Sequence, residues 1–283
     1  MIKPFYQDER TLLYCCDNEE ILAELPEKSI DNVITDPPFS EWTHIGARTN
    51  PEVDADGVPL SGGNEGQPMI DFAPVTSHQL GTAFDRIGYA TRRWVIASMD
   101  WRHYAELERL PPAFLRPVRL GVWDKPNGAP QFTGDRPGQG WEAIGIFHRL
   151  EAWRENVTGR RHAIGGRMRW NGGGHRAVWR HNRISDPFNP TAKPPELVAQ
   201  LIELFTDPGD LILDPWCGTG TTLLQARALG RLAIGIERDP EQCEEIVRRL
   251  RPTFGQAVRK PRRPQPLTAA GPMFETVFDS EAA

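Results

Sequence analysis

The segment Asp36-Pro37-Pro38-Phe39 contains the residue types in this sequence that most directly suggest a reaction. It follows the apolar run 30–35, which has the composition of a buried strand. Two consecutive prolines restrict the backbone and hold the Pro37 carbonyl in a fixed direction beside the Asp36 carboxylate. These acceptors could bind both N–H groups of an exocyclic amine and localise its lone pair, with Phe39 stacked on the base. A plain turn after a strand is the alternative interpretation.

A second candidate site is a turn with two glycines, Gly218 and Gly220, in the C-terminal third of the chain. It follows a predicted strand that ends at Asp214, and the next predicted strand ends before Glu237. Glycine lets the backbone approach a ligand closely, and a carboxylate at the end of the second strand can accept hydrogen bonds from both ribose hydroxyls. The pattern indicates a nucleoside cofactor, and a tight strand-to-helix turn without a ligand is the alternative.

The residues around this turn also indicate the kind of cofactor. A dinucleotide fingerprint requires a third glycine where this chain has Leu223, and no arginine stands nearby to bind a phosphate. Asp214 and Glu237 instead give the site negative charge. S-adenosylmethionine has a ribose, a cationic sulfonium and no phosphate, so it fits these residues better than a nicotinamide dinucleotide. A nicotinamide oxidoreductase would also leave residues 36–39 without a role.

Short apolar, β-branched runs alternate with helical periodicity along most of the chain, which predicts an α/β fold. Seven strands are predicted, at 11–16, 30–35, 93–98, 118–123, 142–148, 211–214 and 232–236. Amphipathic helices are predicted around Leu80, Phe84 and Ile87, around Leu197, Val198, Leu201 and Phe205, and around Cys243, Ile246, Val247 and Leu250 behind an Asp239 N-cap. The link between 118–123 and 142–148 leaves no room for a crossover helix, so these strands are predicted to be antiparallel.

The composition is that of a folded chain, with 283 residues of which 39% are hydrophobic and 25% are charged. No apolar run reaches the roughly eighteen residues of a transmembrane helix, and residues 1–5 lack the features of a signal peptide. We therefore expect a cytoplasmic protein without a membrane partner. The four cysteines show neither a disulfide framework nor zinc spacing, so no metal site is predicted.

The net charge of −5 hides an uneven distribution. Residues 154–183 contain eight arginines and one acid, and residues 248–263 contain six arginines, one lysine and no acid. Each stretch carries +7, which leaves −19 on the rest of the chain. The first stretch predicts phosphate contacts or guanine recognition, with Trp153 and Trp170 available to stack, and a solvated surface is the alternative. Trp179 is expected to be a core residue, and the second stretch fits an outer surface or a phosphate track.

In these motifs the chain resembles the amino-methylating DNA methyltransferases, the family that makes N6-methyladenine or N4-methylcytosine. The similar segments are Leu13 to Asn18, Ile21 to Leu25, Ser29 to Phe39, Val122 to Lys125, Trp141-Glu142, Asn189 to Pro194 and Asp214 to Thr221. The catalytic motif precedes the cofactor motif, as in the β-type circular permutation of this family. The resemblance implies a Rossmann-like methyltransferase fold, with a mixed seven-stranded sheet and helices on both faces.

The resemblance also implies roles for single residues. The residues expected to bind and activate the target amine are Asp36, Pro37, Pro38 and Phe39. Those expected to bind S-adenosylmethionine are Asp17, Thr191, Lys193, Asp214, Trp216, Gly218, Gly220 and Glu237. Asp214 and the glycines are expected at its methionine end, Glu237 at its ribose and Asp17 beside its adenine. For Lys193, a solvated lysine before a helix is the alternative.

These implications predict methyl transfer to N6 of an adenine flipped out of double-stranded DNA, because a base amine is inaccessible within the duplex. The aspartate before Pro-Pro favours adenine, and N4-cytosine methylation is the alternative within the family. A non-catalytic DNA-binding protein on the same scaffold agrees less well with two intact motifs. Direct transfer needs no cysteine nucleophile. A restriction-modification context is expected, while a homodimer and a cognate restriction enzyme stay open.

One catalytic domain is expected over residues 1–262, followed by a flexible tail at 263–283. The loop 40–70 and the Arg-rich segment 151–189 are candidate DNA-recognition insertions within it. The loop directly follows Phe39, where it could close over a flipped base. The arginines expected to contact DNA are Arg160, Arg161, Arg167, Arg169 and Arg176.

Overall fold

The computed structural model describes residues 2–41, 43, 73–128, 137–156, 159, 161–164, 168–186 and 191–251. The predicted tail 263–283 and nearly all of the loop 40–70 lie outside these residues, as does the second basic stretch beyond residue 251. Within the described ranges, no helix has the length and apolar character needed to cross a membrane.

Eleven strands form within the described residues. In chain order they are β1 Tyr6–Gln7, β2 Thr11–Cys15, β3 Asn32–Thr35, β4 Trp94–Met99, β5 Leu115–Asp124, β6 Trp141–Arg149, β7 Ala152–Glu155, β8 Arg161–Ile164, β9 Val178–Arg180, β10 Leu211–Asp214 and β11 Leu232–Glu237. Nine of them form one sheet in the order β1-β2-β11-β10-β3-β4-β6-β5-β9, and β7 pairs with β8 in a separate antiparallel hairpin.

The strands from β2 through β11, β10 and β3 to β4 are parallel, whereas β6 runs antiparallel between β4 and β5. This confirms the mixed sheet and the predicted antiparallel pair. All seven predicted strands are present, but the sheet has nine strands because β1 and β9 extend its two ends. These end strands have two and three residues, too few for an alternation pattern to reveal them.

Six helices form within the described residues. They are α1 Asn18–Glu24, α2 Ser77–Ala90, α3 Trp101–Arg109, α4 Pro195–Phe205, α5 Thr221–Ala228 and α6 Pro240–Leu250. The amphipathic helices predicted from spacing are α2, α4 and α6, and Asp239 caps α6 as predicted. A capping box starts α1, because the Asp17 side chain accepts from the first turn and the Glu20 side chain accepts from the Asp17 N–H.

The helices cover both faces of the sheet. Helices α1, α2 and α3 bury Leu22, Phe84 and Leu107 in a core on one face, and α4, α5 and α6 bury apolar side chains on the other. Trp179 belongs to the second core and is 1% exposed, as expected from the sequence. Removal of this apolar surface from water is the main force that fixes the helices on the sheet.

The neighbouring strands β3 and β10 continue into helices on opposite faces. The connection from β3 runs through α2 to β4, and the connection from β10 runs through α5 to β11. A crevice therefore opens at their carboxyl ends, which is the usual ligand position in a doubly wound sheet. We call the sheet edge that contains Thr35 and Asp214 the carboxyl edge, and the edge that contains Asn32 and Leu211 the amino edge.

Candidate active site

A cavity of about 860 Å³ lies at the carboxyl edge, in the crevice between β3 and β10. Its walls include all four residues of the predicted amine-binding turn, 36–39. They also include Asp17, Thr191, Lys193, Asp214, Trp216, Gly218 and Glu237 from the predicted cofactor set. Gly220, the remaining member, starts α5 immediately behind this wall. The fold thus brings the two predicted sites into one cavity.

Asp36 follows β3 and forms an ion pair with a buried lysine of the same cavity. Lys193 Nζ lies 2.6 Å from Asp36 Oδ2 and 5.3 Å from the centre of the Phe39 ring. The Lys193 side chain is 7% exposed, so it is not a solvated lysine. Asp36 Oδ1 is buried and has no hydrogen-bond partner among the described residues. Burial raises the pKa of Asp36, and the Lys193 ammonium opposes that increase. A buried acceptor in this state favours an N–H donor from a ligand.

Asp100 holds the residues that follow Phe39. It caps α3, and its Oδ2 accepts hydrogen bonds from Ser40 Oγ and, at 2.6 Å, from Thr43 Oγ1. The Phe39 carbonyl accepts from the Val75 N–H at 3.2 Å. Burial disfavours the Asp100 carboxylate, but the two hydroxyls lower its pKa. Asp100 was not predicted as a site residue, and its signal in the sequence is an aspartate between a predicted strand and a helix.

Asp214 ends β10 and is 3% exposed. Its Oδ1 accepts hydrogen bonds from Thr35 Oγ1 at 2.7 Å and from the Trp216 N–H at 3.3 Å. Burial raises the pKa of Asp214 to about 7, although these hydrogen bonds favour the ionised form. Because Thr35 directly precedes Asp36, the hydrogen bond to Thr35 connects the predicted amine-binding turn with the glycine turn.

The glycine turn requires glycine for two reasons. Gly218 and Gly220 have φ angles of 51° and 82°, which other residues rarely adopt. A Cβ atom on Gly220 would also lie 2.9 Å from Ile246 Cγ1 of α6. The Gly218 N–H donates to Glu237 Oε2 at 2.9 Å, and the Asp239 N–H donates to Oε1 at 3.0 Å. The turn therefore fixes the orientation of the Glu237 carboxylate toward the cavity.

Leu223 stands where a dinucleotide fingerprint would have its third glycine. It is fully buried in α5 and packs against β11. A Cβ atom on Gly235 of β11 would lie 2.6 Å from Leu223 Cδ2. The glycine that allows helix and strand to approach is thus on the strand.

Four acidic residues line the cavity in the same order as their strands lie in the sheet, namely Asp17, Glu237, Asp214 and Asp36. Asp17 comes after β2, whose Cys15 pairs with Glu237 of β11, and Asp214 and Asp36 follow on β10 and β3.

Among the cysteines, burial raises the pKa of Cys217 well above its ordinary value, and burial raises that of Cys16 to about 11. Both thiols are therefore disfavoured as nucleophiles.

The described part of the Arg-rich segment begins at the amino edge. The β7–β8 hairpin, which includes Arg161, follows the last residue of β6, and the Trp153 indole donates to the Pro112 carbonyl at 3.4 Å. The Arg169 carbonyl accepts from the indole of Trp94, the first residue of β4, at 2.7 Å. The structure therefore does not bring Arg169 or this hairpin to the cavity.

The end of the same segment reaches the carboxyl edge. Arg176 is exposed and precedes β9, which runs parallel to β5. Arg180 pairs with Asp124 at 3.3 Å, and the Arg183 N–H donates to Asn127 Oδ1 at 2.6 Å. Arg180 and Arg183 thus lie nearer the carboxyl edge than Arg169 does. Arg160 and Arg167 lie outside the described residues.

Comparison with known protein families identifies one matching family model. Residues 117–248 match the model described as DNA methylase, which groups N6 and N4 methyltransferases. M.HinfI, a type II methyltransferase of Haemophilus influenzae, is 30% identical over 270 residues, which cover 89% of this chain and 71% of M.HinfI. M.XycI of Xanthomonas campestris pv. cyanopsidis is 34% identical over 142 residues, or 49% of this chain. The chain spans only 45% of M.XycI and 42% of M.Cfr9I of Citrobacter freundii.

Two solved structures share this fold. The cytosine-N4-specific PvuII DNA methyltransferase superimposes with a TM-score of 0.63 at 16% identity, over 89% of this chain and 90% of that protein. The complex of M1.HpyAVI with S-adenosylmethionine superimposes with a TM-score of 0.57 at 20% identity, over 85% of this chain and 98% of M1.HpyAVI.

Proposed function

Because the chain belongs to the DNA methylase family, we propose that it transfers a methyl group from S-adenosylmethionine to an exocyclic amino nitrogen in double-stranded DNA. The observation that carries this proposal is the hydrogen bond between Thr35 and Asp214, at 2.7 Å. It supports the proposal because it joins the residue before the turn 36–39 to the end of β10, and both turns line one cavity. The preferred target is N6 of adenine.

Asp36 and Pro37 bind the target amine in this proposal. One N–H donates to Asp36 Oδ1, which is buried and unpaired within the described part of the chain, and the other donates to the Pro37 carbonyl. Both hydrogen bonds strengthen as positive charge develops on the nitrogen, so they stabilise the transition state more than the bound base. S-adenosylmethionine supplies the methyl group, with the N–C bond forming as the C–S bond breaks. The methylated nitrogen then passes one proton to the Asp36 carboxylate that accepts its N–H, and the proton is released to water when the products leave.

The chemistry of the cavity fits such a cofactor. Asp214 is a buried carboxylate with hydroxyl and backbone donors, so a nearby cation would stabilise its ionised form. The Glu237 carboxylate accepts backbone N–H groups, including those of Gly218 and Asp239, and its two oxygens have further acceptor capacity for ribose hydroxyls. Asp17 lies beyond Glu237, where the adenine would reach. We assign the rest of the binding surface to Thr191, Lys193, Trp216, Gly218 and Gly220.

Duplex DNA would lie across the carboxyl edge, with the target base flipped into the cavity. Arg180 and Arg183 lie at that edge, so we propose them for phosphate contacts, with Arg176 beside them. Arg169 lies at the amino edge and forms a 3.9 Å ion pair with Asp207. For Arg160, Arg161 and Arg167, DNA contact stays a prediction from the sequence.

N4 of cytosine is the second candidate target. PvuII methyltransferase, which shares this fold, is cytosine-N4-specific. Adenine and cytosine both carry an amino group next to a ring nitrogen, so Asp36 and Pro37 could bind either base. The aspartate at position 36 is the feature that favours adenine.

Methylation-sensitive sequencing of DNA from a host that expresses the protein tests this proposal. We expect N6-methyladenine within a defined sequence, and none in a matched host that expresses Asp36→Ala. N4-methylcytosine would select the second candidate. Unmethylated DNA together with a folded protein that binds S-adenosylmethionine would overturn the proposed function.

A further inference from the structure

A row of four alternating charges extends from Asp36 away from the cofactor turn. Lys193 Nζ lies 2.6 Å from Asp36 Oδ2 and 3.4 Å from Glu142 Oε2. On its other side, Glu142 Oε1 pairs with Lys125 Nζ. The side chains of Lys125 and Glu142 are 9% and 19% exposed. The amine-binding step described above uses neither of them.

The four residues come from four separate parts of the fold. Asp36 follows β3, Lys193 precedes α4, Glu142 lies near the start of β6, and Lys125 follows β5. Burying charges costs free energy that their attraction does not always recover, so a buried network is weak evidence for a purely stabilising role. This network ends on the carboxylate that we assign to the target amine.

The position of Lys193 creates a conflict at Asp36. In the protein without DNA, the ammonium occupies Asp36 Oδ2. The target amine needs this carboxylate and gains positive charge as the methyl group is transferred, so a cation held on the same group opposes the reaction. A second carboxylate oxygen, Glu142 Oε2, lies within reach of Lys193 and is buried without a hydrogen-bond partner among the described residues.

We propose that Glu142 is a positioning residue that accepts Lys193 from Asp36 when the target amine binds. The ammonium then moves from Asp36 Oδ2 toward Glu142 Oε2, so that the carboxylate that accepts the amine at Oδ1 is no longer neutralised by a cation at Oδ2. Lys125 is the permanent partner of Glu142 and keeps it charged before and after this movement. This inference rests on the proposed methyl transfer.

The local electrostatics support this direction of movement. Burial disfavours the Glu142 carboxylate, but Lys193 and Lys125 together lower its pKa. Within the described ranges Asp36 has only Lys193 as a direct ion-pair partner, and burial raises its pKa. Glu142 is therefore the more firmly ionised of the two carboxylates that Lys193 contacts.

The test is Glu142→Gln, compared with wild type in steady-state kinetics on the DNA sequence that methylation mapping identifies. We expect kcat to fall at least tenfold because Lys193 stays on Asp36, while the Kd for S-adenosylmethionine changes less than threefold. The double variant Glu142→Gln with Lys193→Met removes the competing cation, so its kcat should exceed that of Glu142→Gln at least threefold. Glu151→Gln, at an exposed glutamate paired with Lys28, is the matched control and should behave as wild type.

A binding measurement separates positioning from a merely structural role. Wild type should bind DNA with the target base more tightly than DNA whose target base lacks the amino group, and Glu142→Gln should lose most of this preference. The inference would be overturned if Glu142→Gln had the same kcat as wild type. It would also be overturned if the double variant were no faster than Glu142→Gln. If Glu142→Gln does not fold, Glu142→Asp is tested in its place, with the same relief by Lys193→Met expected. An inactive wild type would instead refute the proposed function.

Discussion

Asp36 and Asp214 are two carboxylates at the carboxyl ends of neighbouring strands, and they differ in the groups that compensate their charge. Asp36 is paired with the ammonium of Lys193, at 2.6 Å. The hydrogen-bond donors to Asp214 are instead the side chains of Thr35 and Thr222 and a backbone N–H. The charge of Asp36 is thus compensated within the protein, whereas that of Asp214 is best compensated by a cationic ligand.

This difference assigns the two carboxylates to different steps. A cation such as the sulfonium of S-adenosylmethionine would complete the site of Asp214, so changes there should alter cofactor affinity. Asp36 has no cationic ligand before the amine binds, and Lys193 compensates its charge in that state. Changes at Asp36 should therefore alter transfer and leave cofactor affinity nearly unchanged.

The largest effect is expected for Asp36→Ala. Loss of a charged acceptor for the amine should lower the rate of methyl transfer by about 10²–10³-fold. The Kd for the cofactor should change less than about threefold, because Asp214 and Glu237 are retained. Single-turnover transfer of a labelled methyl group and calorimetric titration of the cofactor measure the two quantities. Near-normal transfer would contradict the assignment of Asp36.

Gly220→Ala tests how strongly the glycine turn that follows Asp214 is constrained. A left-handed residue other than glycine costs about 1–2 kcal/mol, and the new Cβ atom would also press on Ile246 Cγ1 at 2.9 Å. We expect the free energy of unfolding to fall by about 2–4 kcal/mol in denaturant titrations.

Gly230→Ala is the matched control for this contact. Gly230 has a similar φ of 79°, but no atom of the described residues lies within 4 Å of the position that its Cβ atom would take. Its substitution should cost only the backbone contribution of about 1–2 kcal/mol. Equal losses for the two variants would show that Ile246 does not constrain the glycine turn.

The sequence predicted the two carboxylates because each stands at the end of a short predicted strand and is followed by a distinctive turn. It did not predict the contact between Asp36 and Lys193, which are separated by 157 positions. Nor did it predict that Glu142 would share Lys193. These contacts depend on the relative placement of β3, β6 and the start of α4, which only tertiary packing determines.

The Arg-rich segment shows a similar limit. Its composition indicates phosphate binding, but composition does not specify which edge of the sheet each arginine reaches. Arg169 is fixed at the amino edge by the indole of Trp94, whereas Arg183 is fixed at the carboxyl edge by Asn127. The short strands β1 and β9 were missed because two or three residues do not form a pattern.

The raised pKa of Asp214, about 7 against an ordinary value of 3.8, predicts opposite effects of pH on stability and on binding. Between these values the folded protein binds a proton that the unfolded chain does not, so the contribution of Asp214 to stability falls as pH rises. A cationic cofactor favours the ionised form, so its affinity should rise about tenfold from pH 6 to pH 8. Calorimetric titrations across this range should show a much weaker dependence in Asp214→Asn. An equal dependence in both proteins would contradict the assignment.

The smallest effect is expected on DNA binding, when an arginine at the carboxyl edge is compared with one at the amino edge. Arg183→Ala should weaken DNA binding several-fold and reduce the slope of log K against log salt by about 1, because one phosphate contact is lost. Arg169→Ala, which removes the same charge at the amino edge, should leave both quantities unchanged. Fluorescence anisotropy at several salt concentrations measures them. If Arg169→Ala has the larger effect, the duplex extends to the amino edge, and the contacts predicted for the Arg-rich segment would be favoured over those assigned to Arg180 and Arg183.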